Sequence, residues 1–188
     1  MNPSKKKRQT RVQQRIVEAA RNLVIENGFD NLSLRGIARR VDYSPAALYE
    51  YFESKDAIIE ALCMKIDQHM SDFMMEALEN SSLEHPLVRI SLAYIQFALE
   101  NPDDFRLLFF HNLYTSSGAQ EIISEQVELS IDTGEFLPSF DFDHEEITHC
   151  IWSLAHGMAM LALCRDHYNN DLNIHREAIT RLLDGLRV

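Results

Sequence analysis

Apolar residues recur every three or four positions along almost the whole chain, the spacing that a helix needs to bury one face. Only 6 glycines and 5 prolines are available to interrupt it, too few turn-formers to divide many short strands. The pattern therefore predicts an all-α fold of about nine helices. Val12, Ile16, Ala19, Leu23 and Val24 make the first stripe, which Gly28 ends as a left-handed stop. Ser33 caps a short second helix carrying Leu34, Ile37, Ala38 and Val41. Ser44 caps a third, with Pro45 at the first position, where a missing N–H is harmless, and with Leu48 and Phe52 as anchors. Ser54 caps a long fourth helix whose stripe is Ile58, Leu62, Ile66, Met70, Phe73 and Ala77.

Pro86 opens a fifth helix after a loop at 81–85, and Asn101-Pro102 ends it. Residues 103–111 and 119–131 read as the sixth and seventh helices, and 134–141 as irregular. The eighth, about 143–165, is apolar on most faces and should be largely buried. After a loop at 169–173, the last helix carries Ile179, Leu182, Leu183 and Leu186. No uninterrupted apolar run approaches the ~18 residues of a membrane span, so no membrane partner is expected. The lysine-rich start has no apolar segment behind it and does not read as a signal peptide. Cys63, Cys150 and Cys164 are odd in number and form no CxxC pair, which argues against a disulfide framework or zinc ribbon and for a reducing cytoplasm.

The overall charge of −11 conceals two opposite ends. Residues 1–55 hold 11 Lys/Arg against 6 Asp/Glu, whereas residues 56–188 hold 7 against 23. A basic end on an acidic protein is compatible with one part facing phosphates while the other repels them. It is equally what a solubilised acidic protein with a basic tail would show. Lys5-Lys6-Lys7-Arg8, with Arg11, reads either as an arm on the minor groove or backbone of DNA or as a disordered tail.

Residues 33–55 are more specific. Two short capped helices separated by Asp42-Tyr43 have the layout of a helix-turn-helix, whose second helix must be short and exposed to enter a major groove. Ala46 and Ala47 are small, Ser44, Tyr49 and Tyr51 bring hydroxyls, and Arg35, Arg39, Arg40 and Lys55 surround them with positive charge. The competing reading is an ordinary helical hairpin, with Tyr49 and Phe52 as core.

The run Gly28-Phe29, Leu34, Ile37-Ala38, Ser44, Leu48-Tyr49, Tyr51-Phe52 and Ser54-Lys55-Asp56 resembles the signature of tetracycline-repressor (TetR) family regulators across residues 11–60. The resemblance implies a three-helix DNA-binding domain over 1–54, with a basic tail at 1–10, and a helical ligand-binding and dimerisation domain over 55–188. It implies DNA contacts from Ser33, Arg35, Ser44, Pro45, Ala46, Ala47, Tyr49, Tyr51 and Lys55. Asp42 stands where the family carries a turn glycine, and Tyr43 where it carries valine. Asn101-Pro102-Asp103-Asp104-Phe105-Arg106-Leu107-Leu108-Phe109, followed by Trp152 and His156-Gly157, is similar to a C-terminal subclass of that family.

Trp152 and His156 are four residues apart and share a helix face. Their polar nitrogens need a partner, either a ligand's polar group or a group on a neighbouring helix. Met70, Phe73, Phe105 and Phe109 join them as candidate walls of a largely apolar effector site, since small-molecule sites are concave and mostly apolar. Apolar surface from Ile147 to Leu161 and from Ile179 to Leu186 exceeds what one core needs, which predicts a homodimer. The function expected is a ligand-responsive regulator of a double-stranded operator, by family analogy a repressor that releases a palindrome on binding a small molecule. No cofactor, metal or catalytic constellation is expected. The rivals are a helical-bundle enzyme and a small-molecule-binding protein without DNA binding. Glu146-Ile147-Thr148-His149 is half of a di-iron motif, and no second Glu-x-x-His follows it.

Overall fold

The computed structural model describes residues 3–79, 83–110, 118–136, 143–164 and 171–186. Among these residues there are nine α-helices and no strand. They fall into two compact units, Met1–Lys65 and Ile66–Val188.

In the first unit α1 (Pro3–Asn27) buries Val12, Ile16, Ala19 and Ala20 against α2 (Leu34–Val41). The Ser33 side chain accepts the Gly36 N–H, the Ser44 side chain accepts that of Ala47, and Ser54 does the same for Ala57 at 3.0 Å. Helix α3 is regular only over Pro45–Leu48, and turns carry the chain on to Phe52, whose N–H reaches the Leu48 carbonyl at 3.0 Å. Helix α4 (Lys55–Glu79) follows.

Two expectations for this unit need correction. The basic segment at 5–8 is not an extended tail: α1 begins at Pro3 and runs unbroken through it. Lysine, arginine and glutamine are good helix formers, and no glycine or proline interrupts residues 4–27. Gly28 has positive φ but an extended ψ (80°, 159°), so it starts the 3-10 turn Phe29–Asn31 rather than forming a left-handed stop. The left-handed residue is Asp42 (φ 60°, ψ 41°), which fills the role of the turn glycine.

In the second unit α5 (Pro86–Glu100) is the central element, with ten buried residues. Helices α6 (Pro102–Phe110), α7 (Gly118–Asp132), α8 (His144–Cys164) and α9 (Leu172–Leu186) pack around it. His85 caps α5 through Nδ1, which accepts the Leu87 N–H at 3.1 Å, and its ring stacks on buried Phe136. Asp171 caps α9 through the Asn173 N–H at 2.9 Å, so Asn173 lies in the helix and not in the preceding loop. The expected loop and irregular residues at 81–82, 137–141 and 169–170 lie outside the described residues, as does His111.

Helix α8 corrects two further expectations. Its 21 residues are long and apolar enough to cross a membrane by length and composition, the one such helix among the described residues. Counting uninterrupted apolar residues overlooked it because His149, Ser153 and His156 break the run. It is also less buried than expected, with one third of its apolar window covered. Ile147, Ile151, Ala155, Ala159 and Ala162 face the chain's own core, while Leu161 is 45% exposed. On α9, Ile179 and Leu183 likewise belong to the chain's own core and Leu182 is half-buried, so the uncovered surface is narrower than the sequence suggested.

The turn makes the fold testable at one residue. Asp42→Val puts a β-branched side chain at φ 60° and is expected to lose about 1–2 kcal/mol, whereas Asp42→Gly should match or exceed the parent. Urea unfolding midpoints of the two variants check the order.

Candidate functional site

The helix-turn-helix surface is built from a core outward. Ile37, Ala38, Val41 and Leu48 are buried and fix α2 and α3, leaving Ser33, Arg35, Ser44, Pro45 and Ala46 exposed and Ala47 half-buried. Tyr49 is 57% exposed, which rules out the core role of the competing hairpin reading. Tyr51 is half-buried and meets Tyr43 edge-on, with ring centroids 5.9 Å apart. Burial and the Tyr43 hydroxyl push its phenol upward, so it stays a neutral hydrogen-bonding group. The Gln13 amide donates to the Tyr51 carbonyl at 3.1 Å and the Arg15 guanidinium to that of Val41 at 3.3 Å, tying α1 to this surface.

The surrounding cations are not equivalent. Arg40 forms a two-pronged pair with Glu26 at 2.5 and 2.6 Å, holding that carboxyl below its usual range and occupying the guanidinium. Arg35 and Arg39 are exposed. Lys55 is half-buried, and its ammonium donates to the Leu32 carbonyl at 3.4 Å, beside the start of α2. All nine residues expected to meet DNA thus lie within one local assembly, at or next to the ends of α2, α3 and α4.

The effector residues separate into two groups. Phe105, Phe109, Trp152 and His156 come together around Tyr94 of α5, which the sequence did not single out. The Tyr94 hydroxyl and His156 Nδ1 are 2.8 Å apart. Tyr94 and Phe105 are fully buried, and Phe109, Trp152 and His156 are partly open. Trp152 stacks on His156 with centroids 5.6 Å apart, and Phe109 meets His156 edge-on at 4.7 Å. His156 therefore finds its partner on α5. Met70 is fully buried and Phe73 packs against Phe97 with centroids 5.9 Å apart, so both stand on α4 outside the Tyr94 cluster.

Glu146 and His149 have local roles. The Glu146 carboxylate accepts the Asp143 N–H at 2.9 Å while Asp143 accepts the Glu146 N–H at 3.0 Å, a reciprocal capping box at the start of α8. The His149 ring reaches the Ser153 hydroxyl at 3.4 Å. Among the described residues no group of three or more His, Cys, Asp or Glu could hold a metal ion.

Two family models match this architecture. One, described as bacterial regulatory proteins of the tetR family, covers residues 16–62, and the other, a tetracyclin repressor-like C-terminal domain, covers residues 87–186. The chain belongs to the TetR family. This TetR-family protein is a helix-turn-helix, DNA-binding transcriptional regulator. It is 24% identical over 181 residues to the uncharacterized HTH-type transcriptional regulator YobS of Bacillus subtilis strain 168, covering 94% of this chain and 93% of YobS. A protein of unknown function from Rhodococcus sp. RHA1 shares the fold at a TM-score of 0.78 and 20% identity, over 94% and 95% of the two chains. A tetR-family regulatory protein from Rhodococcus RHA1 does so at 0.68 and 18%, over 93% and 96%.

Burial holds the His156 imidazole below its ordinary value, and it does the same at His175, where Asp171 partly opposes it. Both rings are neutral in the folded chain and take up protons on unfolding in mild acid. Their contribution is complete above the unfolded value of about 6.5 and is lost as pH falls from there through the depressed folded values. Urea unfolding at neutral and mildly acidic pH should show this loss, and His156→Gln should reduce it, leaving the His175 share. Tyr94→Phe, which leaves the His156 Nδ1 without its partner, is expected to lose about 1–3 kcal/mol.

Proposed function

We propose that this regulator binds a palindromic operator as a homodimer and releases it when a largely apolar small molecule enters the Ile66–Val188 unit. The observation that carries the DNA surface is Tyr49, an aromatic residue more than half exposed beside Ala46 and exposed Ser44. In this reading Ser33, Ser44, Tyr49, Tyr51 and Lys55 meet phosphates, which position the protein without reading sequence. Pro45, Ala46 and Ala47 face the bases, and their small size lets the helix sit deep in the groove. Arg35 is the side chain able to fork onto guanine. A cytoplasmic location accords with that role.

A second copy covers the outward apolar residues of α8 and α9, among them Leu161, Leu182 and Ile174, which is 49% exposed. One four-residue recognition helix binds weakly, and a two-fold pair reads two half-sites. The effector enters beside Phe109, Trp152 and His156, the partly open members of the Tyr94 cluster, and uses the Tyr94–His156 pair as its polar handle. Met70 and Phe73 line the route along α4, the helix that also carries Lys55. Binding lowers operator affinity by favouring a state whose recognition helices are mis-spaced.

Selection of bound fragments from genomic DNA, followed by shift assays, tests the reading. A pseudo-palindromic site is expected, and absence of any preferred sequence would overturn it. Lys55→Ala should weaken specific and random duplexes alike, with the salt slope reduced by about two in a dimer. Arg35→Ala should relax preference at one position per half-site by about 1–3 kcal/mol. Leu182→Glu should yield monomers in sedimentation equilibrium and abolish operator binding. A monomeric parent at micromolar concentration would remove the dimer from the scheme.

A further inference from the structure

The cationic start of α1 contributes none of the residues expected to meet DNA, and of its cations only Arg15 is tied to that surface, through the Val41 carbonyl. Lys5, Lys6, Lys7, Arg8, Arg11 and Arg15 all precede the first carboxylate of the chain, Glu18. All six are exposed, and none forms an ion pair among the described residues. Because the segment is helical, its charges have defined directions. At about 100° per residue, Lys5, Arg8 and Gln9 continue the stripe that Val12 and Ile16 bury further along. The face of α1 that packs on the helix-turn-helix therefore turns cationic in the two turns that project beyond the core, a length of about 10 Å. Lys5, Arg8 and Gln9 line one concave surface together with Glu50 and Tyr51, at the end of the recognition segment. The Arg8 charge is felt at the Tyr51 phenol.

We propose that the first two turns of α1, led by Lys5 and Arg8, are a second phosphate-binding element that follows the DNA backbone beside the half-site read by α2 and α3. The occupant is duplex DNA because the patch shares Tyr51 with the surface expected to meet DNA, and its charge complements phosphate, with Glu50 the lone carboxylate of that concave surface. A helix presenting lysine and arginine at fixed positions suits the regular phosphate spacing of a backbone. It does not suit a minor groove too narrow for a helix, where an extended arm would fit. The element adds affinity and salt sensitivity without adding sequence preference.

The inference rests on the operator reading above, and a salt titration of the full chain separates the two. With Lys5→Gln/Arg8→Gln, the slope of log affinity against log salt should shrink by about two for each DNA-bound chain, equally on operator and random duplexes. Arg8→Lys should retain the parental slope. Lys7→Gln lies about 200° round the helix from Lys5 and should change it far less. Circular dichroism of each variant confirms that α1 remains helical. An unchanged slope in the double variant, or an equal fall in Lys7→Gln, overturns the inference while leaving the operator reading intact. So does a loss confined to A·T-rich flanks, the mark of a minor-groove arm. A parent chain that binds no duplex overturns both.

Discussion

A recognition helix of four residues has no stability of its own, because one helical turn fixes more backbone than its hydrogen bonds repay. Its position depends on Leu48, buried to 1%, and on two serine caps that satisfy the first N–H groups of α2 and α3. Asp42 sets the direction in which α3 leaves α2, through a backbone conformation that few residues other than glycine adopt. The DNA-facing surface is thus an extension of the core of the first unit. Substitutions at Ile37 or Val41 would disturb DNA binding without touching a phosphate.

The second unit is organised on a different constraint. With ten buried residues, α5 has little polar surface of its own to offer, and Tyr94 is one of its few hydrogen-bonding groups. The hydroxyl meets the His156 ring within an otherwise aromatic cluster, where an unpaired polar atom would be expensive. The same pairing orients Trp152, which stacks on His156, and leaves Phe109 at the rim. Any molecule that binds here must either keep the tyrosine–histidine contact or replace it.

Much of this was legible in the sequence because capping and periodicity are local. Ser33, Ser44 and Ser54 all cap the helices that spacing assigned to them, and Pro45 opens α3. What escaped was what covers each face. Periodicity marks Ile147, Ile151, Ile179 and Leu183 as apolar, yet only packing reveals that they serve the chain's own core. Tyr94 could not be paired with His156 from a spacing of 62 residues. Glu146 has the spacing of half a metal motif, yet its carboxylate accepts the Asp143 N–H three residues away. The basic start reads as a tail by its charge alone, whereas its residue types favour the helix it forms.

Trp152 is the chain's single tryptophan, and its indole lies 5.0 Å from the Tyr94 ring and 5.6 Å from the His156 ring, centroid to centroid. Emission excited selectively in tryptophan, beyond the absorption of the six tyrosines, is therefore a signal from one place. Protonated imidazole quenches a stacked indole, and nearby tyrosine transfers its excitation to it. Fluorescence consequently reads the state of the Tyr94 cluster directly, and the molecule carries its own optical probe of that cluster.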